Sequence, residues 1–315
     1  MTKKTESQEK FKTMIGGQAL IEGIMMRGPE KQSIVVRSPE GLVVKTEPLK
    51  LVAKKHPVLG WPLIRGVVNF GASMACGVKA LMYSAEFFPE EEGEPSKFDQ
   101  WLEEKLGSEK MEKAVISFSL VLGVLLAVGL FVLLPTFLAG LVPGIHGNYL
   151  ARNLTEGLLK IALFMGYMIL VSRMKDMKRV FSYHGAEHKT IRCYEARLPL
   201  TVENVRPMTR KHPRCGTSFL LVVICISILC GAFIRVDNTL ARMGLHLLML
   251  PVIVAVSYEF NRWVGRHDNW LTRILTAPGQ WMQNFTTYEP DDSMIEVAIK
   301  ALEEVLPSQE GADQW

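Results

Sequence analysis

Two histidines and a glutamate within residues 183–189 are the side chains of this sequence that are best suited to chemistry. His184 and His188 are four residues apart, and on a helix this spacing places their side chains one above the other. Glu187 falls on nearly the same face. The order His-x-x-Glu-His is that of inverted zinc hydrolases, in which both histidines bind the metal and the glutamate is the general base. The pattern predicts a metal site with Glu187 as catalytic base; the alternative is a polar helix on a cytosolic surface.

A third metal ligand has to come from elsewhere in the sequence. Glu195 would lie about 10 Å from His188 along the same helix axis, which is too far to share one ion. His212 and Cys215 are the best candidates, because His-x-x-Cys on a turn resembles half of a zinc site. If both join the two helical histidines, the site is closed and structural. If one joins, a position stays open for a water that Glu187 could deprotonate. In a third alternative Cys215 only packs and His212 caps the next helix. The expected ion is divalent, with zinc preferred.

Residues 14–28 are dense in glycine and carry two charged side chains, Glu22 and Arg27. Glycine allows close backbone approach, so this stretch is either a tight structural loop with a Glu–Arg pair or a lid or wall of the site. In the second case Glu22 or Arg27 would contact a substrate. Arg27 and Arg214 are the predicted ligands of an anionic substrate group, since guanidinium suits phosphate and carboxylate.

The hydrophobic residues, 48% of the 315, are concentrated in long uncharged runs between about 114 and 260. A membrane-spanning helix needs about 20 apolar residues, and the sequence predicts four spans. They cover residues 114–138, 158–172, 215–234 and 243–258. The spans contain no carboxylate deep in the membrane and His246 stands alone, which argues against a metal transporter. The net charge of +4, without a basic patch interleaved with aromatic residues, excludes nucleic acid as a partner.

Lysine and arginine are concentrated in residues 173–214, whereas the loops 139–157 and 235–242 contain few. The positive-inside rule therefore places 173–214 in the cytosol, together with both termini. Five cysteines without a paired spacing fit a reducing compartment.

The remaining segments are soluble. Two β-branched runs in 33–47 flank a Pro-Glu-Gly turn and predict a β-hairpin. The composition of residues 62–88 favours an interfacial or packed helix, and a membrane-spanning helix is the alternative. An acidic run at 90–92 is typical of a linker, and Asp291 or Asp292 would cap a C-terminal amphipathic helix. The predicted organisation is a disordered tail at 1–13, an N-terminal cytosolic lobe at 14–112, membrane helices at 113–172, a cytosolic insert at 173–214, membrane helices at 215–260 and a cytosolic C-terminal segment at 261–315.

Three motifs resemble a known family. Gly-Gly-Gln-Ala-Leu-Ile-Glu-Gly-Ile-Met-Met-Arg-Gly-Pro at 16–29, His-Gly-Ala-Glu-His-Lys at 184–189 and His-Pro-Arg-Cys-Gly-Thr-Ser-Phe at 212–219 are similar to the YqhQ-like family of bacterial membrane proteins. That family is described as uncharacterised, predicted metal-dependent enzymes. The resemblance implies a metal at His184 and His188 but does not indicate a substrate.

The sequence thus predicts a mainly helical, polytopic membrane protein with four spans and a small α/β cytosolic lobe containing a β-hairpin. We expect a metal-dependent hydrolase at the cytosolic face of the cell membrane, acting on a lipid headgroup or a juxtamembrane peptide. The alternative is a non-catalytic membrane scaffold or sensor with a structural metal. Membrane lipids are the expected partners, and the sequence leaves homo-oligomerisation open.

Overall fold

The computed structural model describes residues 11–49, 57–88, 108–145, 147–267, 269–309 and 311–314. Within residues 108–113 it describes the backbone only. Most of the predicted disordered tail and the acidic linker at 90–92 lie outside the described residues. The chain divides into two compact units. The first comprises Met1–Phe87, Met168–Val223 and Val254–Trp315, and the second comprises Phe88–Tyr167 and Ile224–Ile253.

The first unit contains a four-stranded antiparallel sheet in the order β1-β2-β3-β4. Its strands are β1 Gly16–Leu20, β2 Gly23–Arg27, β3 Lys31–Ser38 and β4 Gly41–Pro48. The predicted hairpin is confirmed as β3 and β4. The prediction of a loop at 14–28 was wrong, because this stretch forms β1 and β2. Glu22, with a φ of 48°, occupies the tight turn between them.

Helices cover both faces of this sheet. Alternate residues of a strand point to opposite faces. Ile24 and Met26 of β2 therefore pack into the core formed with helices α5, Lys175–Glu195, and α10, Asp292–Glu303. Met25 faces the other way and lies 3.7 Å from Cys76 Sγ on helix α1, Ile64–Ala85. Strands β2 and β3 are buried on both faces of the sheet. The packing of the sheet against α5 fixes the position of that helix.

Helix α10 confirms the predicted C-terminal amphipathic helix. Asp291 caps it by accepting a hydrogen bond from the backbone N–H of Met294 at 3.0 Å. Its buried face packs on β2, β3 and α5. Just beyond it, Gln314 pairs with Thr13 in an antiparallel bridge. The two ends of the described chain therefore meet in the same unit.

Helix α1 confirms the prediction of a packed helix within 62–88. Gly66 sits against another helix so closely that a Cβ there would lie 3.0 Å from Ala255 Cα. Next to this contact, Arg65 makes two hydrogen bonds to Glu259, at 2.7 and 2.5 Å. The absent side chain at position 66 allows the two helices to approach.

Three helical segments are long and apolar enough to cross a membrane within the described residues: Ala114–Gly140, Tyr149–Ser172 and Thr239–Arg266. We label the helices α2 Ser108–Val128, α3 Leu134–Gly140, α4 Tyr149–Ser172, α6 Val202–Val205, α7 Gly216–Gly231 and α8 Thr239–Arg266. A π-turn, Gly129–Leu133, joins α2 to α3, where Pro135 cannot donate to the helical ladder.

The prediction of four spans was wrong by one segment. The predicted third span folds as α7, whose 16 residues extend about 24 Å, less than the roughly 30 Å of a hydrocarbon core. The placement of both termini in the cytosol rested on an even number of spans and does not follow from three candidates.

His246 does not stand alone, which corrects the sequence interpretation. In the second unit its Nε2 lies 3.1 Å from Glu156 Oε2, and Arg242 Nε donates to Glu156 Oε1 at 2.7 Å. All three side chains are buried. The candidate spans therefore contain a buried, paired carboxylate.

One long helix was absent from the sequence prediction. Helix α9, Trp270–Thr286, begins with a capping box in which Asn269 and Thr272 satisfy each other's backbone N–H groups. Pro278 and Gly279 interrupt its sequence pattern, which explains why composition did not reveal it. Its outward face is apolar and exposed.

Candidate metal centre

Helix α5 brings His184 and His188 together, as their spacing predicts. Their ring centroids are 4.4 Å apart. Cys215, at the start of α7, completes a cluster in which one potential ligand atom of each residue lies within 4.8 Å of the others. His188 and Cys215 are buried, and His184 is partly buried. Two nitrogens and one sulfur thus converge on one point.

Backbone carbonyls fix the orientation of both imidazoles. His184 Nδ1 lies 2.8 Å from the carbonyl oxygen of Thr286, and His188 Nδ1 lies 2.6 Å from that of Arg210. A carbonyl oxygen only accepts, so each Nδ1 carries the proton. In the neutral form of each ring, Nε2 then carries the lone pair through which histidine binds a metal.

The surroundings of Cys215 favour its thiolate form. Cys215 immediately precedes α7, and its Sγ accepts from the backbone N–H of Thr217 at 3.4 Å. His184 Nε2 lies 3.2 Å from the sulfur. Burial favours the neutral thiol, but the electrostatic interactions and hydrogen bonds with His184 and His188 outweigh burial and lower the pKa of Cys215 well below its ordinary value.

The same interaction raises the pKa of His184. Burial alone would lower it, yet the charge of Cys215 and its hydrogen bond raise the pKa of His184 to about 9. Without a metal, the pair therefore favours the imidazolium–thiolate form.

Glu187 points one carboxylate oxygen at backbone and leaves the other without a partner. Its Oε1 accepts from the N–H of Gly17 at 3.0 Å, while its Oε2 is buried and has no hydrogen-bond partner among the described residues. Burial raises the pKa of Glu187, although His184 and His188 oppose the shift. A buried, unpaired acceptor of this kind is costly unless a ligand satisfies it.

Two glycines make room for this arrangement. A Cβ at Gly17 would lie 3.1 Å from Glu187 Cδ and 2.6 Å from the backbone oxygen of Met25. A Cβ at Gly185 would overlap the backbone oxygen of Tyr288. Both positions therefore require glycine, because the β1 backbone and the segment after α9 press directly on α5.

The structure does not bring His212 into the cluster. Its Nε2 lies 3.4 Å from Glu195 Oε2, and its backbone N–H and carbonyl are bonded to Gln283 at 2.8 and 2.7 Å. Burial, opposed by Glu195, lowers the pKa of His212 to about 4, so the ring is neutral at neutral pH. The His212 ring centroid is 5.6 Å from that of His188, so the ring lies next to the cluster, but its Nε2 faces Glu195.

A cleft of about 750 Å³ reaches the cluster and is lined by both predicted arginines. Arg27 donates to Ser73 Oγ at 3.2 Å, and Arg214 pairs with Glu195. Glu22 does not line this cleft; at the β1–β2 turn its Oε2 accepts from Arg179 Nη2 at 2.5 Å. Glu22 therefore forms an ion pair with Arg179 and does not contact the cluster.

Sequence reasoning missed the residues that orient the ligands. The carbonyls of Thr286 and Arg210 and the N–H of Gly17 are backbone groups, so side-chain patterns do not mark them. Gln283 lies on the unforeseen helix α9.

The fold and this cluster define a mainly helical protein with a small antiparallel sheet, candidate membrane spans and a buried His₂Cys constellation beside a glutamate. The chain belongs to the family described as "Protein of unknown function (DUF1385)", whose model matches residues 61–308. It is similar to "Uncharacterized protein YqhQ" of Bacillus subtilis (strain 168), with 34% identity over 305 residues, covering 95% of this chain and 94% of that protein. No solved structure matches the chain.

Proposed function

We propose that this protein is a metal-dependent hydrolase at the cytosolic membrane face, with His184, His188 and Cys215 as ligands of a divalent ion, preferably zinc, and Glu187 as general base. The single observation that carries the proposal is the buried, unpartnered Oε2 of Glu187 beside three converging ligand atoms.

The donor set fits a zinc ion. Two imidazole nitrogens and a thiolate are typical zinc ligands, and a three-ligand set leaves the open position of catalytic sites. The Nδ1 hydrogen bonds of His184 and His188 to carbonyl oxygens are the supporting contacts expected around such ligands. A purely structural site would need His212 as fourth ligand, and that ring is turned to Glu195.

Each side chain then has a distinct role. A bound ion would supply Lewis acidity and lower the pKa of a water. Glu187 accepts the proton of that water on Oε2, and burial, which raises its pKa, makes it a better base near neutral pH. Arg27 and Arg214, both in the cleft wall, bind an anionic group of the substrate.

The proposed substrate is a lipid headgroup or a juxtamembrane peptide, in keeping with the three candidate spans. We place the unit that holds the cluster in the cytosol because residues 173–214 are rich in lysine and arginine.

A second candidate function is a hydrolase with a cysteine nucleophile. The contact of 3.2 Å between His184 Nε2 and Cys215 Sγ favours it, because an ion pair of this kind activates a thiolate. Here Cys215 would attack the substrate and His184 would protonate the leaving group.

Metal analysis of the purified protein separates the two candidates. We expect about one zinc per chain in the wild type and in Glu187→Gln, and none in His184→Ala. The exposed His267 offers a matched control, since His267→Ala removes an imidazole outside the cluster. Wild-type protein that stays metal-free after exposure to zinc, and whose activity survives chelators, would exclude the metal proposal in favour of Cys215. A metal-loaded Glu187→Gln variant with full activity would support the non-catalytic scaffold or sensor instead.

A further inference from the structure

A second cleft in the same unit, of about 1000 Å³, has a strongly basic lining. Five cations line it against one carboxylate, that of Glu195, among the described residues. The cations are Lys12, Arg192, Arg197, Arg214 and Arg273. We call this cavity the basic cleft.

The carboxylate in the basic cleft is already engaged. Glu195 pairs with Arg214 through Oε1 and faces His212 through Oε2. Arg192 donates to the carbonyl oxygen of Lys211 at 3.0 Å, a contact that holds its guanidinium in place without neutralising the charge. The cations converge from four separate segments, so the tertiary fold concentrates the positive charge.

The cleft wall is made partly by elements suited to a lipid surface. Thr272, Thr276 and Gln280 of α9 line the cleft, as does Val264 near the end of the candidate span α8. Other residues of α9 project large apolar side chains outward: they are Trp270, Leu271, Ile274, Leu275 and Trp281. Trp270 is 73% exposed and Ile274 is 60% exposed, which water would penalise and a membrane interface would favour.

We propose that the basic cleft binds the phosphate of an anionic phospholipid headgroup, with the outward face of α9 in the membrane interface. Guanidinium groups bind phosphate oxygens in a forked geometry, and basic residues beside a membrane attract anionic lipid. The two clefts share Arg214, but the proposal does not require a metal at the cluster.

Short-chain lipids test the proposal on the full-length, detergent-purified protein. Binding of dihexanoyl phosphatidylglycerol is measured as a shift in melting temperature, with dihexanoyl phosphatidylcholine as the neutral lipid and inorganic phosphate as the soluble anion. We expect phosphatidylglycerol alone to stabilise the protein, and added salt to weaken the effect. Equal stabilisation by inorganic phosphate would overturn the lipid assignment.

Paired variants locate the site. Lys12→Gln with Arg273→Gln should weaken phosphatidylglycerol binding about 30-fold at low salt. The control removes two exposed or partly exposed cations outside the cleft, Arg37→Gln with Arg206→Gln, and should bind as the wild type does. Thr276→Glu adds a carboxylate to the cleft without removing a cation and should also weaken binding. If both cleft variants, melting normally without lipid, bind as tightly as the control, the proposal is wrong.

Discussion

Replacing Glu187 by glutamine separates the catalytic role of this residue from its structural cost. The amide can keep the hydrogen bond from the N–H of Gly17, because it retains one carbonyl oxygen at the 3.0 Å position. It loses the negative charge that burial disfavours at the unpartnered Oε2. Glu187→Gln should therefore stabilise the metal-free protein while removing the proposed general base.

The structure sets the size and sign of this effect. An unpartnered buried polar group costs about 1–3 kcal/mol and a charged one costs more; the amide nitrogen that replaces Oε2 keeps the first cost and removes the extra cost of the charge, so the variant should gain about 1 kcal/mol or more at high pH. The folded-state pKa of Glu187 is raised. The wild type therefore has its full stability below the unfolded pKa of about 4.3 and loses stability as pH rises through the folded value. The difference between variant and wild type should grow with pH.

The assay is thermal unfolding of chelator-treated protein in detergent between pH 4 and 9. Glu40→Gln, at the exposed β3–β4 turn, is the matched control and should change stability by less than about 0.5 kcal/mol. With metal restored, loss of the base should lower turnover about 10²–10⁴-fold at unchanged metal content. A variant that is less stable than wild type at every pH would refute the reasoning, since Oε2 would then have a partner.

Three further outcomes are expected. Gly185→Ala should destabilise the protein by about 1–3 kcal/mol in thermal unfolding through overlap with a backbone oxygen, whereas Gly166→Ala, with open space around it, should be neutral or stabilising. In metal-free protein Cys215 should react with iodoacetamide at pH 6, and Cys193, whose pKa is raised by burial, should not; equal rates, read by mass spectrometry, would contradict the thiolate. Because the pKa of His212 falls from 6.5 to about 4 on folding, wild type should lose about 3 kcal/mol relative to His212→Gln as pH drops through that window; parallel pH profiles would contradict the buried neutral ring.

Local patterns were readable in the sequence and distant contacts were not. The pairing of His184 with His188 depends on helical periodicity alone, so a four-residue spacing was enough to predict it. The carbonyl that orients His184 comes from Thr286, 102 residues away, and the N–H on Glu187 comes from Gly17, 170 residues away. No spacing rule reaches across such distances.

The errors in the predicted fold have physical causes. Strands β1 and β2 contain three glycines and one β-branched residue, Ile24, so composition indicated a loop. The apolar run at 215–234 has the roughly 20 uncharged residues expected of a membrane span. Its helix nevertheless ends at Gly231, before it reaches spanning length. His212 and Cys215 were equivalent on spacing; Glu195 attracts the histidine, which a one-dimensional pattern does not show.

The dependence of His184 on the Thr286 carbonyl also has a consequence for biosynthesis. Ribosomes make the protein from its N-terminus, so both imidazoles and the thiol emerge long before residue 286. The growing polypeptide therefore contains the three side chains before the carbonyl group that orients the His184 ring has been synthesised. At the proposed metal site, firm capture of an ion would wait until helix α9 has folded and the Thr286 carbonyl orients the His184 ring.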